Sequence, residues 1–369
     1  MRIAFITNIC AHYRVKTFET LSRYYHIDYY FFSAGDEWYW QQEHGMRAGN
    51  FHYEYLPGFR LGRTRVTPTL PWKLWRGNYD VYIKCITGRF ALPITYLIAR
   101  LRRKPFILWT GIWMRLQTPF HRLAWPLTRY IYHHADAIVV YGEHVKRYLM
   151  SEGVLGERIF VAAHAVDNEA YNRPVSEEEK QALRRQLNIS PDKKVVLYLG
   201  RLSPEKGVEV LLDAVTGLPD LKVKIAGDGP RFGALQAIAR QRGLQQVEFL
   251  GRVAGDEKWE LLRNATAVVI PSVWYETFSF AALESMGVGT PVLASDLGSL
   301  PYVVEDGKSG LLFRAGDSQD LREKLAWLVQ HPSEALQMGC YGRQSVEARY
   351  SASAHYEDLM RIYQEFVKR

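Results

Sequence analysis

Short runs of apolar residues alternate along most of the chain with longer stretches in which apolar positions recur every three or four residues. In the first half this predicts strands at Arg2 to Thr7, His26 to Phe32, Phe51 to Leu56 and Asp80 to Ile86, with a helix over Val15 to Tyr25. A helix over Ala91 to Leu101, a strand from Pro105 to Trp109, a helix over Phe120 to His134 and a strand from Ala137 to Tyr141 follow. Glu143 to Met150 and Arg158 to Ala162 continue the series. Strands and helices in strict alternation build a parallel sheet covered by helices on both faces.

The polar segment from Ala163 to Pro191 breaks this rhythm and ends in a charged helix whose start, Ser176-Glu-Glu-Glu179, has the form of a capping box. A boundary is therefore expected near residue 170. Beyond it the pattern resumes, with strands at Lys194 to Leu199, Leu221 to Ala226, Val247 to Leu250, Ala267 to Ile270, Pro291 to Ala294 and Gly310 to Phe313. Helices are expected over Gly207 to Thr216, Arg231 to Gln241, Gly255 to Asn264 and Thr277 to Met286, and three more close the chain from Asp317, Pro332 and Ser351. The expected layout is an N-terminal domain over 1–170, a second over 171–350 and a final helix over 351–369. A length of 369 residues fits two cores better than one.

The three cysteines, Cys10, Cys85 and Cys340, have neither metal-ligand nor redox spacing, which favours a reducing compartment. The apolar start is shorter than a signal peptide needs, and the longest uncharged apolar segments, Ala91 to Ala99 and Pro105 to Met114, are too short to span a bilayer. A cytoplasmic protein is expected, and the sequons at Asn188 and Asn264 have no secretory context. Charge is distributed unevenly. Residues 1–165 carry 22 Lys plus Arg against 11 Asp plus Glu, whereas the remainder carries 25 against 28. Such an imbalance points the first half toward an anionic surface or substrate.

The most informative stretch is Pro271 to Glu284, Pro-Ser-Val-Trp-Tyr-Glu-Thr-Phe-Ser-Phe-Ala-Ala-Leu-Glu, which joins an apolar strand to an apolar helix. It holds Glu276 and Glu284, and no Lys or Arg lies between Arg263 and Lys308. Neither carboxylate has a local ion-pair partner, and a carboxylate buried alone costs several kcal/mol or loses its charge. The alternative, a solvated helix face, is where most glutamates reside. A ribose or hexose would supply the missing hydroxyl donors.

Three further turns follow strand ends, where ligands of open α/β sheets sit. Gly200-Arg201-Leu202-Ser203-Pro204-Glu205-Lys206-Gly207 places two cations at a helix start, where the macrodipole disfavours them unless an anion lies between. Gly227-Asp228-Gly229-Pro230 is a tight bend opening another helix, and Gly251-Arg252-Val253 ends the next strand.

Taken together, the Glu-x7-Glu pair, the Gly-Arg…Lys-Gly turn and the Gly-x-Gly turn resemble the nucleotide-sugar signature of retaining glycosyltransferases with the GT-B fold, and glycosyltransferase family 4 (glycosyl transferases group 1) in particular. The resemblance implies an α/β fold of two doubly wound Rossmann-like domains facing a central cleft, with the C-terminal helix crossing back to the N-terminal domain. It assigns Arg201 and Lys206 to the donor diphosphate, Glu276 to the donor sugar and Glu284 to the ribose hydroxyls, with Glu276, Arg201 and Lys206 as the catalytic group. Gly227, Gly229 and Val253 would lie beside the nucleotide, and the backbone of Thr277, Phe278, Ser279 and Phe280 beside the sugar and phosphate. The family commonly has Gly where this chain has Ser279, so the hydroxyl either alters the donor pose or adds a hydrogen bond. Retention is also implied, with the leaving phosphate taking the acceptor's proton.

No Asp-x-Asp occurs and no cluster has ligand spacing, so no cofactor or metal is expected, with Arg201, Lys206 and the helix terminus replacing a divalent cation.

The first half departs from that family. The turn Asn8 to Arg14 has no glycine and Trp109 to Trp113 has no histidine, leaving His12, Arg14 and Thr110 as the polar acceptor-side candidates. Basic clusters at Arg60 to Arg65 and Arg100 to Lys104, the run Trp113 to Trp125, and Lys73 between Trp72 and Trp75 interleave cations with Trp and Leu. This suits an anionic membrane headgroup layer, against the alternative of ordinary packing with a solvated basic face. No nucleic-acid module accompanies the charge. The expected partners are a nucleotide-sugar donor, a lipid-linked or saccharide acceptor and the inner face of a cell membrane. The competing readings are a phosphorylase, epimerase or hydrolase on the same scaffold, or a sugar-nucleotide-binding subunit without turnover.

Overall fold

The computed structural model of the protein describes residues 1–10, 14–33, 50–62, 64–85, 88–115, 118–166, 171–172, 176–188, 194–274 and 276–367. These form two compact units, Met1–His164 with Ala352–Arg369, and Ala165–Ser351.

The first unit is built on β1 (Arg2–Thr7), β2 (His26–Phe31), β3 (Tyr53–Tyr55), a hairpin of β4 (Phe59–Leu61) and β5 (Thr64–Val66), then β6 (Val81–Cys85), β7 (Phe106–Thr110), β8 (Ala137–Val140) and β9 (Ile159–Val161). Seven of these make one parallel sheet in the order β3-β2-β1-β6-β7-β8-β9. In β6, β7 and β8 every residue is buried. Burial on both faces is why these strands do not read as alternation, with the fully buried Lys84 interrupting the apolar run of β6. Helix Ala352–Val367 packs on this unit, with Leu359, Ile362 and Tyr363 buried and the Tyr363 ring 5.9 Å from that of Tyr25.

Two elements of the first unit carry no strong sequence signal. The β4–β5 hairpin pairs Arg60 with Arg65 in three-residue strands whose residues are exposed or half-buried, so it reads in the sequence only as a basic cluster. Helix Thr69–Arg76 buries only Leu70 and Leu74, one turn apart, which is too short a stripe to recognise.

The second unit contains β10 (Val195–Leu199), β11 (Lys222–Ala226), β12 (Val247–Gly251), β13 (Ala267–Ile270), β14 (Val292–Ser295) and β15 (Gly310–Phe313), parallel in the order β12-β11-β10-β13-β14-β15. From β10 the chain winds outward through β11 and β12, then returns to lay β13 on the other side of β10. That reversal between β10 and β13 is the switch point where open α/β sheets leave a crevice. The expected capping box at Ser176 is formed, Ser176 Oγ accepting from Glu179 N–H while the Glu179 carboxylate accepts from Ser176 N–H. Among the described residues no helix is long and apolar enough to cross a membrane.

Among the described residues the first unit buries three imidazoles, those of His144, His164 and His355. Burial lowers the pKa of His355, whose ring lies 6.1 Å from that of Trp109, to about 4. Burial, followed by the charge of Arg14, lowers that of His164. A histidine depressed when folded binds fewer protons than in the unfolded chain between the two pKa values, so stability is lost as pH falls through that window. Between pH 6.5 and about 4, His355 alone should remove of the order of 3 kcal/mol. Urea unfolding across this range checks it, and His355→Phe should flatten the slope. An unaltered slope in that variant would mean that His355 does not need to stay neutral.

Candidate active site

In the second unit, the turns after β10, β11 and β13 are joined by backbone contacts that only glycine permits. A Cβ on Gly227, whose φ is +153°, would stand 1.8 Å from the Gly200 carbonyl oxygen, and one on Gly229 would stand 2.4 Å from that of Leu202. Gly207, at φ +62°, would meet the Pro271 carbonyl oxygen at 2.0 Å. Hydrogen bonds follow the same seams: Leu202 N–H donates to Asp228 O at 2.9 Å, Gly227 N–H to Gly251 O at 2.6 Å, and Val273 N–H to Glu205 O at 3.0 Å. The Gly-x-Gly turn is therefore a junction between strands as well as a bend.

This junction carries Lys206 to Glu276. Its ammonium donates to Glu276 Oε2 at 2.6 Å, and Ser272 Oγ donates to the same oxygen at 2.8 Å. Glu276 is 4 % exposed, so the solvated-face alternative does not hold for it. Glu284, on helix Phe280–Gly287, is half-buried and accepts from Lys258 Nζ at 2.9 Å on Oε1. The absence of a local partner in the sequence is thus corrected by the fold, since both carboxylates are paired with lysines from other segments. Among the described residues, these bonds leave Glu276 Oε1 and Glu284 Oε2 without a protein donor. Each carboxylate is thus held in place by one oxygen.

Arg201 is exposed and lies 3.8 Å from Glu205 across one turn. Burial raises the pKa of Glu205, but hydrogen bonds from Ser203 and its own N–H, with Arg201 and Lys206 nearby, outweigh it and hold the carboxyl below its usual range. Beneath the turn, the Tyr198 hydroxyl donates to Arg201 O at 2.6 Å. Burial, then the charge of Glu276, pushes that phenol's pKa up. The turn thus presents two cations on a framework held by a buried tyrosine.

The helix expected from Thr277 begins instead at Phe280. Ser279 is its N-cap, the hydroxyl accepting from Ala282 N–H at 3.3 Å. A hydroxyl used as a cap holds the helix start, so the Gly-to-Ser departure has a structural role of its own. Ala282 N–H, one of the first-turn donors that helical geometry leaves unpaired, is thereby satisfied. Thr277 is half-buried, Phe278 buried and Val253 half-buried just past β12.

On the first unit, His12 lies outside the described residues. Arg14 is buried at the switch between β1 and β6, donating to Cys85 Sγ at 2.8 Å and to the Tyr141 hydroxyl at 2.6 Å. Thr110 is fully buried, its hydroxyl accepting from Ile112 N–H at 3.3 Å. The basic clusters divide. Lys73 pairs with Glu54 at 2.7 Å and Arg100 with Asp136 at 2.8 Å, while Trp113 and Trp125 pack inward on the core. Leu123, at 83 % exposed, and Trp72, at 58 %, face outward.

Residues 179–345 match the model of the family "Glycosyl transferases group 1", a span that lies within the second unit and includes the whole of this site. The part of the chain that carries the site is therefore similar to that family. It is 31% identical over 230 residues to the D-rhamnosyltransferase WbpZ of Pseudomonas aeruginosa, covering 61% of this chain and 57% of that protein. It is 36% identical over 204 residues to the D-inositol 3-phosphate glycosyltransferase of Corynebacterium jeikeium, covering 52% and 48%. The chain spans about half the length of the curated relatives it matches. Among solved structures it shares its fold with Anabaena HepE in complex with UDP-glucose, at a TM-score of 0.79 and 20% identity over 99% of this chain and 100% of that one. It also resembles WaaG, a glycosyltransferase involved in lipopolysaccharide biosynthesis, at 0.73 and 15% over 96% and 98%. The fold is GT-B.

Sequence reasoning did not find Lys258 or Ser272. Ser272 has a weak signal, a polar residue at the end of a buried strand. Lys258 has none, because its partner is 26 residues away on another helix.

Proposed function

We propose that this protein transfers a sugar from a nucleotide-diphosphate donor to a lipid-linked or membrane-associated acceptor in glycan biosynthesis, with retention and without a metal ion. The observation that carries this reading is the pair of lysine-held carboxylates, each with one oxygen still available, beside a turn bearing Arg201 and Lys206. Glu276 would accept hydroxyls of the donor sugar and Glu284 those of the ribose. Lys206 and Arg201 would stabilise the charge that builds on the diphosphate as it departs. In the transfer step the acceptor oxygen bonds to the anomeric carbon while the bond from that carbon to the diphosphate oxygen breaks. The acceptor's proton passes to a leaving phosphate oxygen on the same face, which gives retention without the carboxylate pair of a glycosidase. The basic first unit, with Leu123 and Trp72 outward, suits an anionic membrane surface on the cytoplasmic side.

A panel of nucleotide sugars tested by thermal shift identifies the donor, because only a bound one stabilises the fold. Glu284→Ala should weaken binding of that donor at least about tenfold, as expected when a charged acceptor is removed from ligand hydroxyls. Unchanged affinity with an intact fold would refute the ribose assignment. Free sugar as the sole product in the presence of acceptors would refute transfer, and loss of turnover in EDTA would refute the metal-free scheme.

A further inference from the structure

The first unit contains a cavity of about 350 Å³ between helices Ala91–Leu101 and Pro119–His134. Its walls are mostly apolar, including Leu92, Ile112, Met114, Ala124 and Ile131, and among the described residues its charged lining residues are Arg65, Arg89 and Arg115, with no Asp or Glu. We propose that this cavity binds an anionic single-chain amphiphile, a hydrocarbon chain bearing a phosphate, and that it holds the anchoring end of a lipid-borne acceptor. The acceptor role rests on the transferase reading above, whereas the binding of the amphiphile does not.

Three observations support this choice of ligand. First, the volume lies near the lower end of the roughly 300–1,000 Å³ found for small-molecule pockets, which suits one chain and not two. Second, Arg89 and Arg115 pair with no carboxylate among the described residues. They are held over aromatic rings instead, Arg89 at 3.7 Å from the Phe120 centroid and Arg115 at 4.9 Å from that of Trp125. A guanidinium whose face rests on a ring still presents its edge N–H groups, the geometry that takes a phosphate in a fork. Third, the site is electropositive from within: burial, then the charge of Arg89, lowers the pKa of His121, another lining residue. Apolar walls alone would accept any chain, and cations alone any anion. Their combination selects a molecule that has both.

The experiment uses the full chain and titrates decyl phosphate, below its micelle-forming concentration, by calorimetry, with decanol and inorganic phosphate in parallel. The expected result is saturable one-to-one binding of decyl phosphate, with each of the other two at least tenfold weaker. Arg115→Gln, a change at an exposed residue, should weaken decyl phosphate about tenfold. Ala124→Trp, which fills the cavity, should abolish binding with an unchanged thermal midpoint. Equal affinity for inorganic phosphate would mean a soluble-anion site, and equal affinity for decanol a cavity without head recognition. Either result overturns the proposal, as does undiminished binding in Arg115→Gln. Donor binding measured on the same preparation separates the two readings: its loss with amphiphile binding intact counts against the transferase, not against this site.

Discussion

Lys206→Met is expected to lower the rate of sugar transfer by about two to three orders of magnitude, the usual effect of removing one fixed donor from a developing anion. The same change should also destabilise the second unit, because Lys206 is the cation 2.6 Å from a carboxylate that is 4 % exposed. Stranding a buried charge in this way costs about 3–5 kcal/mol. The two effects separate in a double variant. In Lys206→Met with Glu276→Gln no charge is left stranded, and most of the lost stability should return as Ser272 continues to donate to the amide oxygen. Activity should not return, since neither the cation nor the carboxylate that the proposed reaction uses is restored. Recovery of turnover with stability would make the pair purely structural, and kcat together with urea unfolding on the three proteins decides it.

Gly227→Ala is expected to have the second largest effect, a loss of more than about 3 kcal/mol together with donor affinity. The new Cβ would sit 1.8 Å from the Gly200 carbonyl oxygen, a backbone atom that cannot rotate away, at a φ of +153° that L-residues rarely adopt. Relief requires the turn after β11 to separate from the turn after β10, which carries Lys206 away from Glu276. Gly233→Ala is the matched control. Nothing lies within 4 Å of its Cβ and it is inside helix Phe232–Gln241, so a gain of about 0.5–1 kcal/mol is expected. A Gly227→Ala protein as stable as the control would show that the seam tolerates a side chain.

These expectations draw unequally on sequence and structure. The strands Ala267–Ile270 and Gly310–Phe313 and the helices Ala91–Leu101 and Gly255–Asn264 agree residue for residue with the apolar pattern. The glycines of the turns after β10 and β11 are recognisable as bends, yet nothing local shows that Gly227 must approach Gly200 or that Gly207 must approach Pro271. The helix bearing Glu284 starts three residues later than its apolar stripe suggests, because Ser279 caps it and Phe278 is buried before it begins.

By itself the sequence determined the parallel α/β architecture, the order of most of its elements and the residue types of the turns at the strand ends, because periodicity and turn chemistry act over a few residues. The tertiary structure alone decided which charges meet. Lys206 reaches Glu276 across 70 residues and Lys258 reaches Glu284 across 26, pairings that depend on β13 returning beside β10. Strand order is set by burial summed over the whole unit, and no local pattern encodes a sum of that kind.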